Sequence, residues 1–385
     1  MDRSLMMVIA VVSLATAALA HGQCDPAPLA SLDTPGDAFD VVLSGQIAFV
    51  ASGNTGVAVV DVSNPRRPSL VGTWKPPTPC SVRRLALSGN RAYLVQGVEG
   101  LSVLDVTDPA TPVLLGSIDP GFASDVAVAD GIAYVADGDS SPGALHVIDV
   151  SDPARLELVA SVEVPGHASA VAVSATNVYV GETTTPAQFH VIDAADPTRP
   201  EITGSVILPG WILPGGIVTS GTLAFVAQNN VDTLAVIDVS DPTRPAVVAA
   251  TNMSGGFAGR LAMSGTLVYV ALTFNGFAVV DVSDPLAPFV VESTRTPGDF
   301  SHGVAPLGNR LFMTDVGGEL AGLHAFDVST CGDTCPTDLD EDGATDFTDL
   351  LLVLAAWGTG GGDVTGDGTT GFSDLLAVLA AWGPC

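Results

Sequence analysis

Short apolar segments alternate with turn-forming residues along most of this chain. One stretch from Asp125 reads DVAVADG, IAYVAD, ALHVIDVSDP and LELVASVEVPG, with each apolar run bounded by Gly, Pro, Asp or Ser. Runs of this length, rich in Val and Ile, predict four short antiparallel β-strands per unit. The runs are nearly continuous rather than cleanly alternating, so we expect both faces of each small sheet to be buried against neighbouring sheets.

The unit recurs seven times, and each copy ends one apolar run in an aspartate. The intervals between successive aspartates are 44, 44, 44, 45, 43 and 46 residues. A period in the forties with four strands per unit is typical of β-propeller blades. We therefore predict an all-β, seven-bladed β-propeller over residues 21–330, with repeats centred on Asp61, Asp105, Asp149, Asp193, Asp238, Asp281 and Asp327.

The seventh unit supplies only three strands, GVAPLG, RLFMTD and LHAFDVS. The missing fourth strand is matched by DPAPLASLDTPG from Asp25, which resembles the turn and outer strand of the other units. We predict that this N-terminal strand closes the last blade, because an unpaired blade edge is a liability. Cys24 and Cys331 would then be neighbours and candidates for a disulfide, although sequence alone leaves the pairing of five cysteines open.

The repeated aspartates are interpreted as turn residues rather than ligands. Asp side chains accept hydrogen bonds from nearby backbone N–H groups, and the following Ser/Thr-Asp-Pro phrase is a turn sequence. His146, His190 and His324 occupy one strand position that is apolar or Ser in other units, so we expect packed side chains rather than metal ligands.

Charge and the N-terminus restrict the functional class. The net charge is -29, from 13 basic and 42 acidic residues, which disfavours nucleic acid and anionic membrane surfaces as partners. Residues 1–20, MDRSLMMVIAVVSLATAALA, have the pattern of a secretory signal peptide. No other segment is apolar and long enough to span a bilayer, so we expect a secreted or cell-surface protein.

The repeated phrase, as in VAVVDVSNP and LHVIDVSDP, resembles the LVIVD-repeat family of bacterial extracellular proteins. The resemblance covers residues 25 to about 330. It implies a β-propeller and no particular activity, since that family has no agreed one.

The last fifty residues have a different pattern. Residues 338–349 read DLDEDGATDFTD and residues 363–374 read DVTGDGTTGFSD, each followed by an apolar segment. A twelve-residue loop offers Ca²⁺ oxygen ligands at positions 1, 3, 5, 7, 9 and 12, with Gly at 6 for the turn. The duplicated pattern predicts two Ca²⁺ sites, with these ligands: Asp338, Asp340, Asp342, Ala344 (carbonyl), Asp346 and Asp349 in the first loop; Asp363, Thr365, Asp367, Thr369 (carbonyl) and Asp374 in the second.

Both loops lack a preceding helix and carry Asp at position 12, so residues 331–385 resemble the dockerin module. The resemblance implies a small α-helical Ca²⁺-binding domain that docks to a cohesin-like or other cell-surface protein. Phe347 and Phe372 stand where cellulosomal dockerins often have small polar residues, and we expect them to pack in the module's core. Cys335 and Cys385 lie at the two ends of the module, so a disulfide between them would stabilise this small domain. Cys80 is then left unpaired.

Blade-to-blade variation predicts where a ligand binds. Loops from second to third strands, and from each fourth strand to the next blade, share one propeller face and differ between units. The start of the innermost strand in successive units is Asp40, Arg84, Asp125, Ala170, Gly216, Arg260 and Gly303, with Arg83, His167 and His302 close by. The candidate ligand face is therefore Asp40, Arg84, Asp125, His167, Arg260 and His302, and the alternative is a solvated channel mouth.

No catalytic motif is recognisable: G-x-S-x-G, H-E-x-x-H and a phosphate-binding glycine loop are all absent from the sequence. The leading hypothesis is a secreted non-enzymatic binding or scaffold protein. Its propeller would bind an unknown protein or polysaccharide, and its dockerin-like tail would be a Ca²⁺-dependent anchor. The alternative is a secreted polysaccharide hydrolase or lyase tethered by the same tail, since dockerins usually tether carbohydrate-active enzymes.

Overall fold

The computed structural model describes residues 24, 26–138, 142–183, 186–209, 214–229, 231–253, 256–296, 298, 300–317, 321–331, 344–345, 347–357, 370–380 and 383–384. Within them, strands β1 to β28 form seven four-stranded antiparallel sheets, which are the blades of a β-propeller. The all-β seven-bladed prediction is confirmed.

The blades follow one another along the chain, each from its inner to its outer strand. Blades 1 and 2 comprise β2 (Asp40–Ser44), β3 (Ile47–Ala51), β4 (Val57–Asp61), β5 (Ser69–Trp74), then β6 (Arg84–Ser88), β7 (Arg91–Val95), β8 (Leu101–Asp105) and β9 (Val113–Ile118). Blades 3 and 4 comprise β10 (Ala123–Ala129), β11 (Ile132–Asp137), β12 (Gly143–Asp149), β13 (Glu157–Val164), then β14 (His167–Ser174), β15 (Asn177–Thr183), β16 (Gln188–Asp193) and β17 (Glu201–Ile207).

The remaining three blades have the same layout. Blades 5 and 6 comprise β18 (Pro214–Ser220), β19 (Leu223–Gln228), β20 (Thr233–Asp238), β21 (Ala246–Asn252), then β22 (Ala258–Ser264), β23 (Leu267–Leu272), β24 (Gly276–Asp281) and β25 (Phe289–Thr294). Blade 7 comprises β26 (Phe300–Leu307), β27 (Arg310–Val316), β28 (Gly322–Asp327) and, as its outer strand, β1 (Ala27–Leu32).

The core lies between blades, which explains the continuous apolar runs. The second and third strands of each blade are buried almost throughout, because neighbouring blades cover both of their faces. One such layer contains Phe225 of blade 5 together with Val270 and Val280 of blade 6. Outer strands are partly exposed and keep more polar residues.

The N-terminal strand closes the ring as predicted. Strand β1 pairs antiparallel with β28, and its register shifts between Pro28 and Ala30. The outer strands of the other six blades shift at the equivalent point, so β1 copies their bulged geometry. A disulfide joins Cys24 to Cys331, which confirms that pairing.

The C-terminal residues contain two short helices and one small sheet. Helices α1 (Phe347–Ala355) and α2 (Phe372–Ala380) pack together and bury Val353 and Val378, while β29 (Ala344–Thr345) pairs with β30 (Gly383–Pro384). Phe347 and Phe372 are 61% and 65% exposed, so the expectation that they pack in a core was wrong. Each is the first residue of its helix and is exposed at that end.

Candidate functional site

The propeller has two faces with different chemistry. We define the uniform face by the turns that join first to second and third to fourth strands in each blade. The variable face carries the loops that join second to third strands and each fourth strand to the following blade. The innermost strands begin at the variable face, around the central channel.

On the uniform face, each repeated aspartate holds its own turn. In all seven blades its Oδ1 accepts a hydrogen bond from the backbone N–H two residues later, at 2.7–3.1 Å. Hydrogen bonding from Ser63, first its side chain and then its backbone, lowers the pKa of Asp61. The carboxylates on this face are therefore satisfied by local backbone, which agrees with the turn interpretation.

Three of the predicted ligand-face residues meet in the channel. Arg260 Nη1 donates to Asp125 Oδ1 at 3.0 Å, and Arg260 Nε lies 3.5 Å from Asp40 Oδ1. These residues come from blades 6, 3 and 1, so the ion pairs cross the channel. Burial alone would lower the pKa of Arg260, but Asp125 and Asp40 raise it instead.

The two aspartates also brace neighbouring blades. Asp40 Oδ2 accepts a hydrogen bond from the Leu85 N–H of blade 2, and Asp125 Oδ2 accepts one from the Val171 N–H of blade 4. Both aspartates are buried, with 1% and 2% of their surface exposed. Buried carboxylates with this many donors are structural groups, so Asp40, Asp125 and Arg260 form an internal brace.

Arg84 begins the innermost strand of blade 2 beside this brace but differs from Arg260. Among the described residues, no hydrogen bond or ion pair holds its guanidinium. Burial, followed by the positive charge of Arg260, lowers the pKa of Arg84. The charges of Asp40 and Asp125 partly offset that lowering, but a partly buried cation with no direct carboxylate contact is still costly unless water or a ligand compensates it.

Arg83, Phe39 and His302 form a wall next to Arg84. The Arg83 guanidinium lies 5.4 Å from the centre of the Phe39 ring, and the His302 ring lies 5.5 Å from the same ring. Burial, followed by the positive charge of Arg84, lowers the pKa of His302 to about 4. His302 is therefore neutral at physiological pH, and the positive charge of this wall comes from arginine.

These side chains line a cavity of about 600 Å³ on the variable face. Gln96, Glu99, Phe122 and Cys80 also line it. Gln96 Nε2 donates to Cys80 Sγ at 3.1 Å and its Oε1 accepts from Ser102, which fixes the amide. Cys80 is a free cysteine, and burial, followed by the charge of Glu99, raises the pKa of its thiol.

The backbone around the cavity is held between blades. Gly53 pairs with Val82 and Gly97 pairs with Ala123, each as an isolated antiparallel bridge from one blade's loop to the next blade. His167 lies outside the cavity lining and instead bonds the Gly138 carbonyl through Nδ1 at 2.8 Å. The structure thus divides the predicted face into the brace, the cavity and a separate His167.

The strand histidines belong to buried sets with partners that the sequence did not indicate. His146 contacts Ser161 and Asp137, at 2.8 and 3.2 Å. The equivalent sets are His190 with Ser205 and Glu182, and His324 with Ser31 and Asp315. Each serine lies directly opposite its histidine on the outer strand. The carboxylates of Glu182 and Asp315 also accept hydrogen bonds from the backbone N–H groups of Gly166 and Gly298, respectively. These two sets therefore hold loops of the variable face in place.

The predicted calcium ligands fall largely outside the described residues. Those outside are Asp338, Asp340, Asp342, Asp346, Asp363, Thr365, Asp367 and Thr369, and so is the pair Cys335 and Cys385. The backbone of Ala344 pairs with Pro384, and Asp349 and Asp374 fall within α1 and α2. The carboxylate, hydroxyl and carbonyl oxygens that the two loop sequences offer are the kind of ligands that Ca²⁺ prefers. The part of the chain that is described holds no group of three His, Cys, Asp or Glu placed for a metal ion.

The signal-peptide prediction for residues 1–20 also falls outside the described residues. Neither of the described helices is long enough to cross a bilayer. The Cys24–Cys331 disulfide is consistent with an oxidising extracellular compartment.

The fold and repeat define this chain as a seven-bladed β-propeller protein. Six segments match the LVIVD repeat: residues 35–75, 79–119, 120–164, 165–207, 215–252 and 255–296. Because these matches cover more than half of the chain, the protein belongs to the LVIVD-repeat family.

Solved structures agree on the fold. A protein from Lactobacillus plantarum is 16% identical and superposes with a TM-score of 0.60, over 72% of this chain and 87% of its own. The computationally designed Ika8 protein is 13% identical with a TM-score of 0.56, over 78% of this chain and all of its own. No curated protein matches the sequence.

Proposed function

We propose that this protein is a secreted or cell-surface, non-enzymatic binding protein. Its propeller, residues 21–330, binds a ligand at the variable face, and residues 331–385 form a dockerin-like Ca²⁺-dependent anchor to a cohesin-like surface partner. The observation that carries the proposal is the contrast between the faces. The uniform face satisfies its carboxylates with local backbone, whereas the variable face has a cavity lined by two arginines without carboxylate partners among the described residues.

Two further features support the anchor. The two loop sequences supply oxygen donors at Ca²⁺-loop spacing, and a described helix begins near the end of each, at Phe347 and Phe372. Both helices, and Trp357 just after α1, expose apolar side chains that a partner protein could cover, namely Phe347, Leu351, Leu352, Leu354, Trp357, Phe372, Leu376 and Leu379. A calcium-ordered module with an apolar surface is suited to reversible protein docking.

Calorimetric titration of CaCl₂ into the full mature chain tests the anchor. We expect uptake at two sites, with the first-loop site lost in Asp338→Ala and the second lost in Asp363→Ala. Asp61→Ala is the matched control, since it removes a carboxylate from a propeller turn and should leave both sites intact. Absence of saturable uptake at millimolar Ca²⁺ would contradict the anchor.

Retention on the producing cell's surface fraction tests the docking itself. We expect the full chain to be retained in Ca²⁺ and released by EGTA, and the double variant of Asp338 and Asp363 to be released in both.

Incubation with a polysaccharide panel checks the non-enzymatic part. Reproducible product release that disappears in Arg84→Gln would show instead that the cavity is catalytic.

A further inference from the structure

The cavity on the variable face concentrates positive charge in an otherwise acidic protein. The chain has 13 basic residues against 42 acidic ones, yet the charged residues that line this cavity are Arg83 and Arg84 against Glu99 alone, which leaves a net positive charge. A local cluster of opposite sign to the whole molecule is an attractive point for an anion, because the low-dielectric walls strengthen its field.

Arg84 is the cation available for a ligand. Arg260 already pairs with Asp40 and Asp125, and those carboxylates also bind the backbone N–H groups of Leu85 and Val171. No carboxylate of the brace forms an ion pair with Arg84. The planar guanidinium can instead donate two parallel hydrogen bonds to a bound carboxylate.

The remaining lining is suited to an apolar ring. Phe39 and Phe122 line the cavity together with Pro79, and Gln96 and Ser81 add neutral polar groups. The volume of about 600 Å³ lies in the usual range for a small-molecule site. The bridges Gly53–Val82 and Gly97–Ala123 hold the walls before a ligand arrives.

We propose that this cavity binds a small organic carboxylate, with the carboxylate on Arg84 and the apolar part of the ligand against Phe39 and Phe122. This inference rests on the proposed function, because it names the ligand class of the same face. A monoanion fits better than a phosphate dianion, since Asp40 and Asp125 lie beside Arg84 and Glu99 lines the cavity rim. Aromatic acids supply both a carboxylate and an apolar ring, whereas sugar acids supply a carboxylate and only the C–H groups of their ring for contact with the aromatic side chains.

Calorimetry on the full chain with paired probes tests the assignment. The probes are 4-hydroxycinnamate with its neutral amide, and glucuronate with glucose. We expect at least one acid to bind more tightly than its neutral partner by about 10-fold or more. Arg84→Gln should weaken that acid on the order of 10- to 100-fold and abolish the preference, because it removes a charged bidentate donor. Arg84→Lys should fall between, since it keeps the charge and loses the planar fork.

Matched variants locate the effect. Glu99→Gln should tighten acid binding about 2- to 5-fold by removing a repelling rim charge, and Arg244→Gln, on the uniform face, should leave it unchanged. Unfolding curves show that each variant is folded. Bound acid should also slow alkylation of Cys80, followed by peptide mass mapping.

The assignment is overturned if neither acid binds at roughly 10 mM, if acid and neutral partner bind equally, or if Arg84→Gln keeps the preference. Inorganic phosphate that binds Arg84 more tightly than both acids would also overturn it. If no acid binds but Ca²⁺ uptake and surface retention persist, this inference fails while the proposed function stands.

Discussion

The two faces of the propeller use charged side chains in opposite ways. On the uniform face, the same aspartate in every blade accepts the same backbone hydrogen bond, so seven copies perform one structural role. On the variable face, the residues that begin the innermost strands differ between blades. They include the internal brace and Arg84, which forms no ion pair with the part of the chain that the structure describes. A residue that repeats in every blade therefore hydrogen-bonds its own turn, whereas a ligand site can form where the residues differ between blades.

The variable face contains a second contrast, between Arg260 and Arg84. Arg84 begins the innermost strand β6, Arg260 lies within the innermost strand β22, and both border the channel. Arg260 pairs with two buried carboxylates, whereas Arg84 faces a cavity. Sequence position alone does not separate a brace from a binding group, because the distinction depends on which carboxylates reach each arginine.

Closure of the ring at the uniform face gives the largest expected effect. The Cys24–Cys331 disulfide spans a sequence separation of 307 residues. Replacing both cysteines with serine should lower the free energy of unfolding by about 5 kcal/mol in the chain-entropy account, measured by urea titration. Cys80→Ser is the control and should leave ring closure intact. A double variant as stable as the parent would show that β1 pairing alone closes the ring.

Removing the brace should have the next largest effect. Arg260→Leu leaves Asp40 and Asp125 buried without their cation, and we expect a loss of about 3–5 kcal/mol in the free energy of unfolding. Arg244→Leu makes the same change on the exposed uniform face and should alter stability by about 0.5 kcal/mol or less. Equal effects of the two variants would remove the distinction between brace and surface arginine.

His302 should make stability depend on pH in a defined window. Its folded pKa is about 4 and its unfolded pKa is near 6.5, so the unfolded chain binds more protons between those values. Stability should therefore fall as pH drops from 6.5 to 4, by roughly 1–3 kcal/mol from this residue. His302→Gln should flatten that part of the profile. If the difference in the free energy of unfolding between wild type and His302→Gln is the same at pH 7 and pH 4, the burial of a neutral imidazole is contradicted.

A turn aspartate should give the smallest effect. Asp61→Asn keeps an oxygen acceptor for the Ser63 N–H and loses only the charge, whereas Asp61→Ala removes the acceptor as well, so the alanine variant should lose more stability at neutral pH. The lowered pKa of Asp61 means that its ionic contribution is present above the unfolded pKa and is lost as pH falls through the folded pKa. Thermal melts at pH 7 and pH 3 should show the wild-type advantage over Asp61→Asn shrinking at the lower pH.

The sequence predicted the features that repeat or that complete a repeat. The seven blades and the N-terminal strand in blade 7 were predicted, because a blade needs four strands and the segment from Asp25 matches the missing one; Cys24–Cys331 was a candidate pairing that followed from this closure. It also located Asp40, Arg84, Asp125, Arg260 and His302 on one face.

The sequence did not predict which of those residues bind each other. Asp125 and Arg260 are 135 positions apart, and their contact depends on how side chains from opposite blades extend across the channel. The same limit applies to His190 and Glu182, whose pairing requires strand register as well as alignment. Nothing in the sequence indicated that Phe39, Phe122 and the unpaired Cys80 line one cavity, because loop residues without a repeat pattern carry no periodic signal.

The free energy of unfolding of Arg84→Gln, measured by urea titration without any ligand, tests the central claim most directly. If Arg84 is kept for binding rather than for the fold, removing it relieves an unpaired charge beside Arg260, and we predict stability equal to wild type or higher by up to about 1 kcal/mol. A loss of about 3 kcal/mol or more, like that expected for Arg260→Leu, would mean that Arg84 is part of the brace and that the variable face is scaffold as well.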